Sequence, residues 1–354
     1  MEKRISALAQ SLPEGCTAVI ENPDNRFYFT GFHSSLGYLV VNKNGAIFLT
    51  DSRYVEAAGN QITGAQIIEF TSLASVKDAL AQLNAAKVIM QSETTTVASA
   101  NALTKAFEGF EVVFDDTLDK IISSLRIIKD ESEVDYIIKA QRIAEDAFTH
   151  VLGLIKAGMT EKELALALDF YMLSHGADAL SFDTIAVSGK NSSLPHGVPS
   201  DKKIEDGDFI TMDFGAVYKG YHSDMTRTVA VGNISDEQRK VYNTVLEAQL
   251  RALDGIKAGV ACRDADALAR EVINEAGYGD YFRHGLGHGV GVEIHEAPTV
   301  SPKGDQTLRE NMIVTVEPGI YLPNRFGVRI EDMVCVTENG CINLTNANKE
   351  LIIL

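Results

Sequence analysis

Two segments in the C-terminal half of the chain read as strand–turn–strand units with an acidic residue on each strand. The first surrounds a turn predicted at Val217–Gly220. With that turn centred between Tyr218 and Lys219, Asp213 lies directly opposite Asp224, with Cβ atoms about 5 Å apart. Two ionised carboxylates at that distance repel by roughly 3 kcal/mol at an effective dielectric of 20. Such a pair needs a shared proton or a cation, unless a bulge shifts the register and leaves both aspartates in solvent.

The second unit surrounds a turn at Pro323–Arg325 and carries Glu317 and Glu331. With the turn centred on Asn324, the antiparallel register places Glu317 opposite Glu331. One facing acidic pair can arise by chance. Two such pairs in the same half of the chain favour a shared cation site.

Glycine occupies every second position of the Gly285–Gly291 segment, which lies between the two acidic units. This pattern argues against a helix, because glycine destabilises helix interiors. In an extended segment, His284 and His288 stand on one face, about 13 Å apart at roughly 3.3 Å per residue. One metal ion can then bind only one of them, and the other is free for substrate. Neutral histidines buried in a tightly packed strand are the alternative, and no GxGxxG dinucleotide fingerprint fits the run.

The first third of the chain alternates apolar strand patterns with helical patterns, which predicts a small α/β domain. Strands are predicted at Thr17–Glu21, Tyr38–Asn42, Ala46–Thr50 and Lys87–Gln91, and helices at Leu73–Leu83 and Ala98–Phe107. A boundary near Leu125 separates a domain of residues 1–125 from a second domain of residues 126–354. Helices in the second domain are predicted at 132–154, after the cap Thr160–Glu163, at 235–257 and at 264–276.

Composition excludes several classes of protein. The 354 residues are 45% hydrophobic and 23% charged, which indicates a folded, soluble chain long enough for two domains. A formal net charge of −17 argues against nucleic acid as a partner, because duplex binding needs clustered basic side chains. Four scattered cysteines predict neither a disulfide framework nor a zinc knuckle. Without a signal-peptide pattern or an 18-residue apolar run, we expect a cytoplasmic protein with no membrane span.

Several motifs in the chain resemble those of a known family. In the C-terminal half they are Leu194-Pro-His-Gly, Asp213-Phe-Gly, Ser223-Asp-Met-Thr-Arg-Thr, His284-Gly-Leu-Gly-His-Gly-Val-Gly, His295-Glu-Ala-Pro, Thr315-Val-Glu-Pro-Gly-Ile-Tyr and Gly327-Val-Arg-Ile-Glu-Asp. Together they resemble the pita-bread metallopeptidases, in the proline-specific branch of aminopeptidase P and the Xaa-Pro dipeptidases (prolidases). Near the N-terminus, Asn25-Arg-Phe-Tyr-Phe-Thr-Gly-Phe and Asp51-Ser-Arg-Tyr resemble the small creatinase-like domain of that branch. The resemblance implies an α/β creatinase-like N-terminal domain followed by an α+β pita-bread (creatinase/aminopeptidase fold) catalytic domain.

The resemblance also implies a site for two divalent metal ions. Its ligands would be Asp213, Asp224, His288, Glu317 and Glu331. Asp213 would chelate one ion, and His288 and Glu317 would hold the other. Asp224 and Glu331 would bridge the two. Four carboxylates and one imidazole suit Mn(II), with Co(II) or Zn(II) as alternatives.

The resemblance further implies the reaction and the residues that carry it out. The residues assigned to catalysis are His196, His284, His295, Glu317 and Arg329. Glu317 would act as general base and proton shuttle, the three histidines would line the substrate site, and Arg329, on the strand face of Glu331, would support them. The implied reaction is hydrolysis of the Xaa-Pro bond at the N-terminus of peptides or dipeptides, through a hydroxide that bridges the two ions. A homodimer is the implied assembly.

Other interpretations stay open at this point. A general or methionine-type pita-bread aminopeptidase shares the ligands but usually lacks the N-terminal α/β domain. A creatinase-like amidinohydrolase works without metal and lacks the full ligand set. A non-catalytic pita-bread module used for protein binding would have lost ligands, and none is lost here.

Overall fold

The chain folds as two units, Met1–Arg126 and Ile127–Leu354. The structure, a computed structural model, describes residues 2–354. Within that range, no helix is both long enough and apolar enough to cross a membrane. The four cysteines are free thiols, as their scattered spacing predicts.

A mixed sheet organises the first unit. Its strands are β1 (Cys16–Ile20), β2 (Tyr38–Asn42), β3 (Gly45–Thr50), β4 (Gln66–Glu69), β5 (Lys87–Gln91) and β6 (Glu111–Asp115). Its helices are α1 (Glu2–Ser11), α2 (Pro23–Thr30), α3 (Val55–Gln61), α4 (Leu73–Gln82), α5 (Val97–Ala106) and α6 (Thr117–Arg126). The strand order is β4-β3-β2-β1-β5-β6, with β1, β5 and β6 parallel and β2 antiparallel to β1. Val19 of β1 and Leu80 of α4 belong to the same buried apolar cluster.

The strands and helices predicted in the first unit are confirmed, with ends shifted by at most one residue. Helices α4 and α5 begin where side chains of Ser72 and Thr96 accept hydrogen bonds from backbone N–H groups of the first turn. Helix α2 has no counterpart in the prediction, and neither do α1, α3, α6, β4 and β6. The Asn22 cap and Pro23 in the first turn start α2 as a helix.

Long helices accompany the strands of the second unit. They are α7 (Glu131–Leu152), α8 (Glu161–Ser174), α9 (Asp236–Gly255) and α10 (Cys262–Glu275). The predicted bounds agree with these to within two residues. Capping boxes begin α7, α8 and α9, with Asp130, Thr160 and Ser235 as the N-cap residues.

The strands of the second unit form several small antiparallel sheets. They are β7 (Ala179–Leu180), β8 (Ile185–Ser188), β9 (Phe209–Phe214), β10 (Ala216–Tyr218), β11 (Tyr221–His222), β12 (Met225–Ala230), β13 (Gly287–Gly289), β14 (Glu296–Val300), β15 (Ile313–Val316), β16 (Gly319–Leu322), β17 (Phe326–Arg329), β18 (Asp332–Val336) and β19 (Cys341–Asn343). The sheet orders are β12-β9-β8, β11-β10-β7, β14-β13-β15-β18-β19 and β16-β17. Val245 of α9 and Ile273 of α10 share one buried apolar cluster with Val314 and Val334 of the largest of these sheets.

The first acidic hairpin does not have the predicted register. Asp213 pairs with Thr226, so the predicted opposition of Asp213 and Asp224 is wrong by two residues. The cause is the turn, in which Lys219 and Gly220 both have positive φ (52° and 76°), as the two central residues of a type I′ turn must. The turn therefore lies one residue later than predicted. A two-residue shift keeps the strand face, so both aspartates still line the same cavity.

The second acidic hairpin has the predicted register. Strands β16 and β17 pair next to the turn, and β15 and β18 pair farther from it. Both pairs have the register that places Glu317 opposite Glu331. Asn324 has a φ of 59° and follows Pro323, the arrangement of a type II turn. Pro318 has no N–H to donate, which ends β15 at this point. Glu317 and Glu331 consequently lie where the hairpin passes from one sheet to another.

The glycine-alternating run forms a strand only over Gly287–Gly289. The backbone bends at His284 and Leu286, so the predicted extension does not reach His284. The glycines of the strand permit a very close approach of its neighbours. A Cβ atom on Gly287 would lie 2.0 Å from the carbonyl oxygen of Thr315.

A buried ion pair joins the two acidic hairpins. Arg227 of β12 donates a hydrogen bond of 2.7 Å to Asp332 of β18, and the two side chains are 1% and 0% exposed. Arg227 also donates to the carbonyl oxygen of Glu331 at 2.6 Å. The second Asp332 oxygen accepts hydrogen bonds from Gln249 and Lys349. These contacts fix the backbone at Glu331 against the first hairpin.

We expect Asp332→Ala to lower the free energy of unfolding by about 3–5 kcal/mol, because it leaves the Arg227 charge buried without its partner. Urea denaturation followed by circular dichroism, in the presence of a chelator, measures the change. Asp201→Ala is the control, since the Lys162–Asp201 pair is exposed. Equal losses in the two variants would contradict the prediction.

Candidate metal centre

One cavity of about 570 Å³ in the second unit contains every residue to which the sequence assigns a role. These residues are His196, Asp213, Asp224, His284, His288, His295, Glu317, Arg329 and Glu331. The volume is that of a site for a small molecule or a short peptide segment.

The four acidic residues of the cavity lie at or beside strand ends. Asp213 is the last residue but one of β9, and Asp224 immediately precedes β12. Glu317 immediately follows β15, and Glu331 immediately precedes β18. The polypeptide changes sheets at these points, which allows side chains from two separate hairpins to converge.

Three side chains form the tightest group of potential ligands. Ligand atoms of Asp224, His288 and Glu331 all lie within 4.8 Å of one another. The Nε2 atom of His288 is 3.5 Å from Asp224 Oδ2 and 3.6 Å from Glu317 Oε1. Two atoms that each bind one ion at about 2.0–2.2 Å are typically about 3–4 Å apart. The spacing therefore fits a divalent cation.

Burial raises the pKa of three of these carboxyl groups, and repulsion from neighbouring acids adds to the effect at each. For Asp224 the largest repulsive neighbour is Glu331, and for Glu331 it is Glu317. Burial raises the pKa of Glu317 to about 8, against the opposing charge of Arg329. All three carboxyl groups can be ionised together near neutral pH only if cations balance their charge.

Asp213 presents one satisfied and one unsatisfied oxygen. Its Oδ2 accepts a hydrogen bond of 2.6 Å from Nη2 of Arg329. Its Oδ1 is buried, and no group in residues 2–354 donates a hydrogen bond to it. A buried acceptor without a partner destabilises the fold unless a ligand satisfies it. The carboxylate is therefore suited to bind a cation through Oδ1.

His288 is held as a neutral imidazole. Its Nδ1 lies 3.0 Å from the carbonyl oxygen of Gly289, which can only accept, so Nδ1 carries the proton and Nε2 presents a lone pair to the acids. Burial lowers the pKa of His288 to about 4. A hydroxyl of Thr315 fixes the backbone, accepting a hydrogen bond from the His288 N–H. This is the protonation state that a metal-binding histidine requires.

His284 belongs to a different hydrogen-bond chain in the same cavity. Its Nδ1 donates to the carbonyl oxygen of Gly285 at 2.8 Å, and its Nε2 lies 3.1 Å from the Tyr321 hydroxyl. That hydroxyl accepts from Nη1 of Arg329 at 2.7 Å, so it donates its own proton to His284. Burial, with the nearby Arg329 charge, lowers the pKa of His284 to about 4. Among the described residues, His284 is not part of the tight ligand group around His288.

Arg329 connects this chain to the acids. Besides Asp213 and Tyr321, its guanidinium donates to the Thr226 hydroxyl at 3.0 Å and to the Pro195 carbonyl oxygen at 3.2 Å. The residue is 3% exposed. Burial alone would lower the pKa of Arg329, but Tyr321, Asp213 and the other acids of the cavity raise it overall. The guanidinium is thus a permanent positive charge beside the predicted ligands.

The loop that carries His196 is fixed by a buried carboxylate. Glu161, 1% exposed, is the first residue of α8. Its oxygens accept hydrogen bonds from the backbone N–H and hydroxyl of Ser188, from the Asn191 amide, and from the backbone N–H and hydroxyl of Ser200. The loop between these anchors brings the exposed His196 to the cavity wall.

His295 enters the cavity from the segment before β14. It is exposed, and the centroid of its ring lies 4.3 Å from that of His288. The three histidines predicted to meet substrate therefore differ in setting. His284 is largely enclosed, whereas His196 and His295 stand at the open side.

Sequence reasoning missed several polar residues of the site. The hydroxyls of Thr226 and Thr315 donate to Glu331 and Glu317 at 2.6 and 3.2 Å, and Tyr321 joins His284 to Arg329. All three lie within motifs in which only the acidic and basic residues were assigned a role. The available signal was their position two to four residues from a predicted ligand.

Two family models match the chain. The model of metallopeptidase family M24 matches residues 135–338, and that of the creatinase/prolidase N-terminal domain matches residues 16–128.

Relatives cover almost all of the chain. An Xaa-Pro dipeptidase of Pyrococcus furiosus is 39% identical over 99% of this chain and 100% of its own length. The structure of an Xaa-Pro dipeptidase from Bacillus anthracis is 44% identical, with a TM-score of 0.96 over 99% of each chain. That of an X-Pro aminopeptidase from Thermotoga maritima is 39% identical, with a TM-score of 0.89 over 96% of this chain and 97% of the other.

We expect Asp224→Asn to weaken metal binding while leaving the metal-free protein at least as stable as the wild type. The substitution removes a negative charge that binds the cation, so metal affinity falls. It also removes repulsion from the neighbouring acids, so the metal-free protein loses no stability. Thermal unfolding in chelator and in excess Mn(II) measures both effects, because a ligand that binds the folded state raises the melting temperature.

Asp201→Asn, at an exposed position, is the control and should behave as the wild type in both conditions. An equal Mn(II)-dependent rise in melting temperature for Asp224→Asn and the wild type would exclude Asp224 as a ligand.

Proposed function

The chain belongs to metallopeptidase family M24, and from that premise we propose that it removes the N-terminal residue from peptides or dipeptides with proline in second position. It combines a creatinase-like N-terminal domain with a pita-bread catalytic domain, and it is a metallopeptidase. The observation that carries the proposal is the convergence of four carboxylates and a neutral His288 in one cavity. The names of the relatives support the Xaa-Pro specificity.

We propose that the cavity binds two divalent ions through Asp213, Asp224, His288, Glu317 and Glu331. Charge supports more than one ion, since four carboxylates beside the single positive charge of Arg329 leave more negative charge than one divalent cation balances. In this assignment Asp213 would hold one ion, His288 and Glu317 would hold the other, and Asp224 and Glu331 would be shared between them. Mn(II) suits a set dominated by oxygen atoms, and Co(II) or Zn(II) are alternatives.

The bound ions would supply Lewis acidity, which lowers the pKa of water and polarises a carbonyl oxygen. The chain's own residues would then move and place protons. Glu317, kept ionised by the cations, is suited to take a proton from water and deliver it to the departing nitrogen. The Thr315 hydroxyl orients its Oε1 atom.

The substrate would lie against His196, His284 and His295. The Tyr321 hydroxyl donates to Nε2 of His284, which keeps this imidazole oriented. Arg329 adds a fixed positive charge on the same side. A peptide oxygen that gains negative charge during hydrolysis would be stabilised here.

Two further proposals concern the whole molecule. A homodimer is supported by an exposed apolar face on α8, where Leu166, Phe170 and Leu173 are 65%, 75% and 48% exposed at helical spacing. A cytoplasmic location stays a prediction from the sequence. A general or methionine-type aminopeptidase remains the alternative activity.

We expect cleavage of Xaa-Pro substrates to exceed that of Xaa-Ala substrates with the same first residue by about 10–200-fold in kcat/KM. The assay uses the Mn(II)-loaded protein, and the chelated protein serves as the inactive control. Rates on an Xaa-Pro dipeptide and an Xaa-Pro-Yaa tripeptide separate the dipeptidase from the aminopeptidase P form of the proposal. Equal rates on proline and alanine substrates would favour a general aminopeptidase.

We expect the two histidines of the glycine-rich run to differ on substitution. His288→Ala should lose metal and activity together, because it removes a ligand. His284→Ala should keep its metal and lose about 10²-fold in kcat, because it removes the imidazole that lines the substrate side and accepts the hydrogen bond of the Tyr321 hydroxyl beside Arg329. Metal analysis beside steady-state kinetics measures both. Loss of metal from His284→Ala would mean that the roles of the two residues must be reassigned.

A further inference from the structure

An ion pair on α10 lies directly behind His284. Asp266 and Arg270 are four residues apart on this helix and form a two-pronged pair, with Nε to Oδ2 at 2.6 Å and Nη2 to Oδ1 at 2.8 Å. Asp266 is 1% exposed, and the Arg270 side chain is 21% exposed. The pair takes no part in the hydrogen-bond chains of the cavity described above.

The pair binds three backbone groups around His284. Arg270 donates to the carbonyl oxygens of Phe282 and His284, both at 2.8 Å. Asp266 Oδ1 accepts from the N–H of Leu286 at 2.9 Å. The guanidinium carbon also lies 4.2 Å from the centroid of the Phe282 ring. Two acceptors and one donor of a single short segment are thus satisfied by one pair of side chains.

This support is needed because the sheet ends before His284. Strand β13 begins at Gly287, and the backbone bends at His284 and Leu286. A buried backbone group outside a strand ladder must find another partner. Only a guanidinium presents several donors in a rigid fork, so that it can bind a carboxylate and two carbonyl oxygens at once.

We propose that the Asp266–Arg270 pair positions His284 for catalysis without taking part in metal binding. The proposal rests on the proposed function only where it assigns His284 to the substrate. The pair sets the backbone at His284, and this places the imidazole beside the Tyr321 hydroxyl. His288 is held independently, by the strand pairing of β13 and by the Thr315 hydroxyl. Asp266 and Arg270 are positioning residues.

The first test is kinetic and uses the Mn(II)-loaded protein with an Xaa-Pro dipeptide. We expect Arg270→Met to lower kcat by about 10–100-fold at wild-type metal content. A small displacement of a group that contacts the substrate typically lowers kcat by this factor. Arg270→Lys should restore little, because an ammonium group cannot replace the fork. Arg263→Met, at an exposed position on the same helix, is the control and should match the wild type. Loss of metal from Arg270→Met would overturn the proposal.

The second test separates positioning from a general structural effect. In the His284→Ala background, Arg270→Met should cause little further loss of kcat, because the residue that it positions is already absent. An equal fold-loss in both backgrounds would overturn the proposal. If Arg270→Met fails to fold, Asp266→Asn provides the same comparison, since it keeps the size of the side chain.

The third test does not depend on peptidase activity. Hydrogen exchange should accelerate at the Leu286 amide in Asp266→Leu, which removes the acceptor, and stay unchanged at the His288 amide. Unchanged exchange at Leu286 would overturn the proposal. If the wild type does not cleave Xaa-Pro bonds, the proposed function fails, and the exchange result still decides whether the pair holds this segment.

Discussion

The mutual repulsion of four carboxylates in one buried cavity is the constraint on which the catalytic unit depends. The carboxyl groups of Asp224, Glu317 and Glu331, which lie beside Asp213, could not remain ionised together without positive charge nearby. Arg329 supplies part of that charge, and the unsatisfied Oδ1 of Asp213 indicates that more is required. The protein maintains this unfavourable arrangement by fixing the backbone that carries the acidic residues, as well as their side chains. Both hairpins are tied together by buried hydrogen bonds at the residues next to the acids.

The sequence predicts the two hairpins unequally well, for a reason that lies in their turns. In the second, Pro323 and Asn324 specify the turn, and its register follows directly. In the first hairpin, Lys219 adopts a positive φ, which is uncommon for lysine and could not be predicted from the residue type. The turn therefore lies one residue later than predicted, and the strand register is shifted by two residues. The acidic site could be predicted in spite of this error. Side chains alternate along a strand, so a two-residue slip returns the same residues to the same face.

Contacts made across long sequence distances could not be predicted in the same way. The spacing of Asp266 and Arg270 identifies a helical ion pair, but not the backbone of residues 282–286 as its target. Likewise, Glu161 reads as an acidic residue at a helix start, and nothing local indicates that it fixes the loop of His196. Each contact depends on where a separate segment packs. A periodic sequence pattern predicts secondary-structure elements and which of their faces is buried. The long-range hydrogen-bond partners of a side chain are known only once the fold is assembled.

His284 and His288 stand four residues apart in one glycine-rich run, yet the fold supports them by different means. Close strand neighbours surround Gly287, which leaves the adjacent His288 little freedom to move. Beyond the bend, the segment of His284 is held by side chains from a helix. A metal ligand benefits from the stiffest available support, because its geometry must be fixed before the ion arrives. A substrate-contacting residue held by an ion pair can be adjusted by changes on that helix without disturbing the ligand beside it. The two supports therefore allow substrate contacts and metal binding to vary independently within five residues of chain.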